Sequence, residues 1–194
     1  SCDGGAATGK STGAKMLSKK YKLRFLSSGL LYRYAGFMII KNNPKNQITF
    51  LKQKFKNLNY NKMTKINLHT PEVSKKSAEI AKINKIRKIL KKFQTEFSRK
   101  FKNCCIEGRD ISTKILPYSD VKFFFKCNLN IAAKRRYKEL KKRNSKIRFK
   151  DVKKALRIRN NQDIRRRFSP LKKHAMLAKM SKYVDKVIEK KYGN

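Results

Sequence analysis

Residues 3–12, with the sequence DGGAATGKST, have the types and spacing of a phosphate-binding loop, G-x-x-x-x-G-K-[S/T]. Glycine permits backbone conformations that turn consecutive N–H groups inward onto a phosphate chain. Lys10 supplies positive charge for the terminal phosphates, and Ser11 or Thr12 places a hydroxyl near Mg²⁺ at the positive end of the following helix. The stretch predicts a nucleoside triphosphate site, and a chance glycine-rich loop is the competing explanation.

Such a loop works only between a strand and a helix. Residues 12–20 have the composition of the helix, with small residues on the inner face. Only Ser1 and Cys2 precede Asp3, and the sequence lacks an initiator Met. We therefore expect the sequence to be trimmed at its N-terminus and the first strand to be missing.

Short apolar runs alternate with segments of helical periodicity along the chain. Strands are predicted at 22–26, 103–106, 121–126 and 176–178, with a further strand at 63–68. Helices are predicted at 30–40, at 47–58, at 71–99 in two parts broken near Asn84, around 132–136, at 151–167 and at 183–191, with a mobile basic loop at 143–148. This alternation predicts an α/β fold with a parallel sheet and right-handed crossovers.

The 194 residues include 53 Lys and Arg against 12 Asp and Glu, a formal net charge of +41. Because such a charge attracts polyanions, a basic RNA- or ribosome-associated P-loop protein is an alternative function. The basic residues are spread along the whole chain, so we interpret most of them as solvated helix faces. We expect any nucleic-acid binding to be non-specific.

Four cysteines without a C-x-x-C pair and two distant histidines argue against a zinc site or a disulfide framework. No apolar run approaches the length of a membrane span, and no signal peptide is visible. We therefore expect reduced thiols, a cytoplasmic location and no membrane association.

Three further stretches identify the kind of P-loop protein. Residues 26–33 are LSSGLLYR, residues 107–113 are EGRDIST, and residues 159–166 contain R-N-x-x-D-x-x-R. Two shorter stretches, TPEV at 70–73 and IRKIL at 86–90, accompany them. Together with the loop, and in register along nearly the whole chain, these motifs resemble the cytidylate kinase family of bacterial nucleoside monophosphate kinases.

The resemblance implies a fold and a reaction. The fold is the three-layer P-loop NTPase fold, with a parallel sheet, a small monophosphate-binding insert at about 43–83 and a helical lid at about 143–166. The core then comprises 1–42, 84–142 and 167–194 of a single domain. The reaction is transfer of the γ-phosphoryl group of ATP to CMP or dCMP, giving CDP or dCDP, with Mg²⁺ and a monomeric enzyme.

The resemblance also implies roles for individual residues. ATP would be held by Gly4, Gly5, Ala6, Ala7, Thr8, Gly9, Lys10, Ser11 and Thr12, with help from Arg135 or Arg136 and with Ser11 on the metal. The monophosphate would be surrounded by Ser28, Arg33, Arg87, Arg109, Asp110, Arg159, Asp163 and Arg166. The catalytic residues would be Lys10, Arg159, Arg166 and Asp110.

Arginine suits this role because its planar guanidinium can bind two phosphate oxygens at once, whereas the lysine ammonium cannot. Asp110 would either orient Arg109 or contact the ligand directly. Several positions depart from the family pattern, among them Ser27 and Asn160 where aspartate is usual, and His69 and Ala132 where arginine is usual. These departures leave open the base preference among CMP, dCMP and UMP. Another small-molecule kinase of the same fold is a further alternative.

Overall fold

Four short strands and eight α-helices form the described part of the chain, residues 1–142 and 146–172 of a computed structural model. The strands are β1 (Cys2–Gly4), β2 (Arg24–Ser27), β3 (Cys104–Gly108) and β4 (Phe123–Phe125). The helices are α1 (Lys10–Lys20), α2 (Ser28–Asn42), α3 (Gln47–Lys56), α4 (Tyr60–Thr64), α5 (Pro71–Ile80), α6 (Asn84–Lys100), α7 (Leu129–Lys141) and α8 (Phe149–Arg165). Residues Ile111–Ile115 form a π-helical turn.

The strands form one sheet in the order β2-β3-β1-β4. β1 runs parallel to both of its neighbours: Cys2 lies opposite Glu107 of β3 and Phe123 of β4. Because parallel strands need crossover connections, each pairing is bridged by helical segments. The predicted α/β fold with a parallel sheet is confirmed.

The chain divides into two compact units, which we call the first unit (residues 1–21 and 107 onward) and the second unit (residues 22–106). In the first unit α7 packs on α8 around Ala132, Ala133, Val152 and Leu156. In the second unit α2 packs on α5 and α3 on α6, and its fully buried side chains include Leu31, Leu51 and Leu90. Burial of each such leucine contributes about 1.5–3 kcal/mol to the free energy of folding. The buried side chains of each unit give it a core of its own.

Polar residues at the helix ends explain where several helices begin and end. The Thr70 hydroxyl accepts a hydrogen bond from the Val73 amide, and Pro71 occupies the first turn of α5. Asn43 closes α2 in the left-handed conformation. These signals were visible in the sequence, and the predicted start of α5, end of α2 and break near Asn84 are confirmed.

The first turn of α1 lies directly on β4. A Cβ atom added to Gly13 would sit 2.5 Å from Cε1 of Phe125, closer than real Cβ contacts allow. Glycine at this position therefore lets the helix that follows the phosphate loop lie flat against the phenylalanine ring.

Two sequence predictions are wrong. The first strand is present, since Cys2–Gly4 forms β1 and pairs on both sides. Residues 63–68 do not form the predicted strand: Met63 and Thr64 belong to α4, whose start is capped by the Asn59 side chain. Residues 63–68 lack the alternation of a strand, and the buried side chain of Met63 fits a helix face.

Smaller differences concern the ends of elements. β3 begins and ends later than predicted, so that Glu107 and Gly108 belong to the strand. Residues 143–145 of the predicted basic loop, the strand predicted at 176–178 and the helix predicted at 183–191 lie outside the described residues. Within the described ranges, each helix is too short or too polar to cross a bilayer.

Candidate functional site

The loop between β1 and α1 has the backbone geometry of an anion-binding nest. Ala7 and Gly9 both have positive φ, 57° and 84°, and Gly9 is the residue that caps α1. The Thr8 hydroxyl donates to the Gly5 carbonyl at 3.2 Å, which steadies the turn from within. Left-handed residues in such a turn direct successive N–H groups to one side, where a phosphate chain can accept from them.

Lys10 is the first residue of α1, and its ammonium group forms an ion pair with the Glu107 carboxylate at the end of β3. Their side chains are 11% and 3% exposed. Ser11 and Thr12 follow in the first turn of α1 and are exposed. The structure thus places these three loop residues at the helix N-terminus, as the motif predicts, and adds a carboxylate that the prediction did not assign.

Arg109 follows β3 directly and contacts two parts of the first unit. Its NH1 group donates to the Gly4 carbonyl, and its Nε lies 2.7 Å from Oδ2 of Asp163. Arg166 lies at the end of α8. Its NH1 is 3.6 Å from Oδ1 of Asp163, and its NH2 is 3.5 Å from Oδ1 of Asp110. Four of the predicted substrate-binding residues therefore form one ionic cluster beside the first glycine of the loop.

Arg159 lies on α8 one turn before Asp163. Among the described residues, no carboxylate lies within ion-pair distance of its guanidinium. Burial lowers the pKa of Arg159 below its ordinary value, and the positive charges of Arg109 and Arg136 lower it further, against the opposite effect of Asp163. Like charges held this close together favour the arrival of an anion.

Arg135 and Arg136 were both predicted to assist ATP binding. The Arg135 guanidinium lies next to the loop, since its NH1 would be 3.5 Å from a Cβ on Gly9. Arg136 pairs with Glu139 at 2.7 Å, one turn along α7. The geometry therefore favours Arg135 for contact with the loop.

In the second unit, Arg33 and Ser28 both lie on α2. Arg33 NH1 donates to the Leu68 carbonyl at 3.1 Å and to the Ser74 hydroxyl at 2.7 Å. Ser28 is buried at the first position of the helix, next to the Ser27 side chain that caps it. The partners described for Arg33 are neutral oxygen atoms.

Arg87 is a buried charged residue on α6, with 6% of its surface exposed. Its NH1 donates to the Ala81 carbonyl at 3.1 Å, and its guanidinium centre lies 5.6 Å from the centroid of the Tyr32 ring. These aromatic and carbonyl contacts hold the guanidinium in a fixed orientation.

Asp3 and Asn160 are functional candidates that sequence reasoning did not assign. The Asp3 carboxylate accepts hydrogen bonds from the amides of Ile111 and Ser112. Burial raises the pKa of Asp3 above its ordinary value, although these hydrogen bonds act in the opposite direction. Asn160 accepts from the Ala6 amide at 3.0 Å and so ties α8 to the phosphate loop. Both residues stand inside stretches that the sequence analysis singled out, and this was the available signal.

Comparisons with known proteins agree with this geometry. The model of the family described as cytidylate kinase matches residues 1–191. A cytidylate kinase of Bartonella tribocorum is 34% identical over 175 residues, which cover 88% of this chain and 80% of that protein. One of Clostridium botulinum is 32% identical over 202 residues, covering 97% and 93%, and one of Thermosipho melanesiensis is 33% identical over 180 residues, covering 88% and 82%. With a phosphate loop, an adjoining arginine cluster and a match along nearly its whole length, the chain belongs to the cytidylate kinase family.

Proposed function

We propose that this protein transfers the γ-phosphoryl group of ATP to CMP or dCMP in an Mg²⁺-dependent reaction. An oxygen of the acceptor phosphate forms a bond to the γ-phosphorus, the bond to the β–γ bridging oxygen breaks, and ADP leaves. Family membership supports the reaction, and the names of the relatives support cytidine as the base.

One observation carries the proposal: three guanidinium groups gather in the first unit beside a phosphate-binding loop. Arg109 and Arg166 share the Asp163 carboxylate, and Arg159 is close enough to Arg109 for its pKa to be lowered. Phosphoryl transfer spreads negative charge over the transferred group and needs positioned cations more than covalent help from the protein. The cluster supplies those cations in advance of the reaction.

The chemistry needs little proton transfer. The second pKa of a phosphate monoester is about 6, so the acceptor is largely a dianion at neutral pH and can attack directly. A general base is therefore unnecessary. We infer that Asp110 acts through Arg166, whose guanidinium it faces at 3.5 Å, while Lys10, Arg159 and Arg166 face the phosphates.

The residues of the second unit have a binding role in this proposal. Ser28, Arg33 and Arg87 recognise the monophosphate. The hydrogen bonds of Arg33 and Arg87 to carbonyl and hydroxyl oxygens support this assignment, because a guanidinium held in a fixed orientation suits bidentate recognition of a phosphate. The predicted insert at 43–83 belongs to this unit, and α8 of the predicted lid belongs to the first.

Mg²⁺ fits the loop as a cation bound chiefly through the nucleotide. The described residues contain no group of three or more His, Cys, Asp or Glu side chains able to hold a metal ion. Mg²⁺ commonly binds substrate phosphates, water and one or two protein ligands, so the Ser11 hydroxyl meets this requirement. The ion would neutralise charge on the triphosphate, and Glu107 is the candidate to order its water ligands.

A coupled assay of ADP release with CMP, dCMP, UMP and AMP as acceptors tests the proposal. We expect turnover with CMP and dCMP, and the panel ranks UMP against them. Lys10→Ala should lower kcat by about 10²-fold or more, because it removes a charge that contacts the phosphates. Lys19→Ala, an exposed change on the same helix, is the matched control and should leave kcat unchanged.

Absence of turnover with every monophosphate would overturn the proposal. Tight, steeply salt-dependent RNA binding without turnover would favour the RNA-associated alternative instead. Cys104 and Cys127 are free thiols in the described part of the chain, and we infer a reducing cytoplasm. We also infer a monomer, which size-exclusion chromatography with light scattering would test.

A further inference from the structure

Asp3 is a charged residue in the middle of the sheet. It is the second residue of β1, which lies between β3 and β4, and it is 1% exposed. Burial of a carboxylate is costly unless hydrogen bonds compensate for the lost water. An apolar side chain would occupy a central strand position at lower cost, so the carboxylate calls for a specific explanation.

The Asp3 carboxylate is satisfied by the start of the π-helical turn. Its Oδ1 accepts from the Ile111 amide at 2.8 Å, and its Oδ2 accepts from the Ser112 amide at 2.7 Å and from the Ser112 hydroxyl at 2.6 Å. The first amides of a helical turn have no partner within the turn. Asp3 supplies that partner from another part of the chain.

The segment held by Asp3 carries two of the proposed site residues. Asp110 immediately precedes the turn, and its carbonyl accepts from the amides of Lys114 and Ile115 at 2.9 and 3.2 Å. The turn therefore fixes the Asp110 backbone from one side while Asp3 fixes the turn. Arg109, the preceding residue, donates to the carbonyl of Gly4, which is the residue after Asp3.

We propose that Asp3 is a positioning residue for the acceptor side of the site, holding Arg109 and Asp110 in register with the phosphate loop through its three hydrogen bonds to the π-helical turn. This inference rests on the proposed function. Asp3 contacts neither nucleotide, and its effect passes through the turn. Loss of its hydrogen bonds should weaken binding of CMP much more than binding of ATP, although Asp3 adjoins the ATP loop in sequence.

The test compares KM for CMP with KM for ATP in three variants of the full chain. Asp3→Asn replaces one accepting oxygen with an NH2 group that cannot accept, so it removes at least one of the three hydrogen bonds. It should raise KM for CMP by about 10-fold or more, with KM for ATP within about twofold of wild type. Ser112→Ala removes one bond and should raise KM for CMP by about fivefold. Ser18→Ala is the matched control: it is also a buried serine of the first unit, but its hydroxyl donates within α1 to the Ala14 carbonyl. It should change neither KM.

Hydrogen–deuterium exchange gives a second measurement. The amides of Ile111 and Ser112 should exchange faster in Asp3→Asn than in wild type. If KM for ATP rises as much as KM for CMP, or if only the melting temperature falls, the positioning role is wrong. If Asp3→Asn does not fold, Ser112→Ala decides by the same comparison of KM values. If the wild-type protein does not phosphorylate CMP, the proposed function itself is wrong. If the wild type turns over CMP normally and KM for CMP is unchanged in the variants, only the role of Asp3 is wrong.

Discussion

The arginines of the two units are held in different ways. In the first unit Arg109 and Arg166 pair with the carboxylates of Asp163 and Asp110. In the second unit the bonds described for Arg33 and Arg87 go to carbonyl oxygens and a hydroxyl. The hydrogen bonds and ion pairs described for the two sets of arginines therefore differ in the charge of the accepting group.

Arginine therefore serves two purposes in the chain. Carboxylates hold the first-unit guanidinium groups close together despite their mutual repulsion and partly cancel the charge of the cluster. Arg159 lies in the cluster without a paired carboxylate among the described residues, and burial and the neighbouring arginines lower its pKa. The following predictions test this comparison.

Arg159→Ala should have the largest effect. We expect kcat to fall by about 10²–10³-fold, since one positioned charge on the transferred group is lost. The melting temperature should stay the same or rise, because the substitution relieves repulsion from Arg109 and Arg136.

Arg157→Ala, an exposed change on the same helix, is the control for Arg159→Ala and should retain wild-type kcat. An Arg159→Ala variant with full activity would contradict this interpretation of the first unit, because the unpaired cation would then have no catalytic role.

Glu107→Gln should lower stability. Lys10 would lose its carboxylate while remaining largely buried, which costs about 3 kcal/mol in the free energy of unfolding without nucleotide. ATP should raise the melting temperature more in this variant than in wild type, since the triphosphate replaces the lost negative charge. Urea denaturation with and without ATP measures both effects, and equal stabilisation by ATP in the two proteins would contradict the prediction.

Ser74→Ala addresses the second unit and should have a smaller effect. It removes one neutral hydrogen bond from Arg33, worth about 1 kcal/mol, so KM for CMP should rise by up to about fivefold. Ser98→Ala, which removes a serine hydroxyl bonded within α6, is the control and should leave KM unchanged. A loss as large as that of Arg159→Ala would mean that neutral partners are as critical as charged ones.

The pH dependence of stability should show the smallest effect. Burial raises the pKa of Asp3 in the folded state, so its protonated form favours folding. The resulting contribution is fully present below the ordinary aspartate pKa and is lost as pH rises through the raised value. The free energy of unfolding of wild type minus that of Asp3→Asn should therefore decrease as pH rises above about 4. A constant difference across the range would show that the Asp3 pKa is not raised.

The sequence predicted those parts of the fold that depend on local chemistry. The loop glycines, the Thr70-Pro71 helix start and the stop at Asn43 act through their own backbone, so they could be recognised without tertiary information. The strand predicted at 63–68 failed because Met63 and Leu68 are buried by packing within the second unit, and packing is invisible to a local pattern. β1 was missed because a strand of three residues is too short to show a hydrophobic pattern. The neighbouring strands β3 and β4 pair with it on both sides.

The site was predicted where a motif contained the chemistry and missed where the chemistry depends on contacts distant in sequence. Arg109 and Asp163 stood in recognisable motifs, and the structure pairs them. The bonds of Asp3 to Ser112 and of Asn160 to Ala6 link residues more than a hundred positions apart. Spacing along the chain carries no information about such pairs.

The contact between Gly13 and the Phe125 ring has a consequence for how this sequence can change over time. A methyl group at position 13 becomes acceptable only if the ring at position 125 becomes smaller, and a smaller ring opposite glycine leaves a void. Either substitution alone is unfavourable, whereas the two substitutions together are tolerated. The two positions should consequently be inherited as a pair, with one combination replacing the other in descendants of this chain.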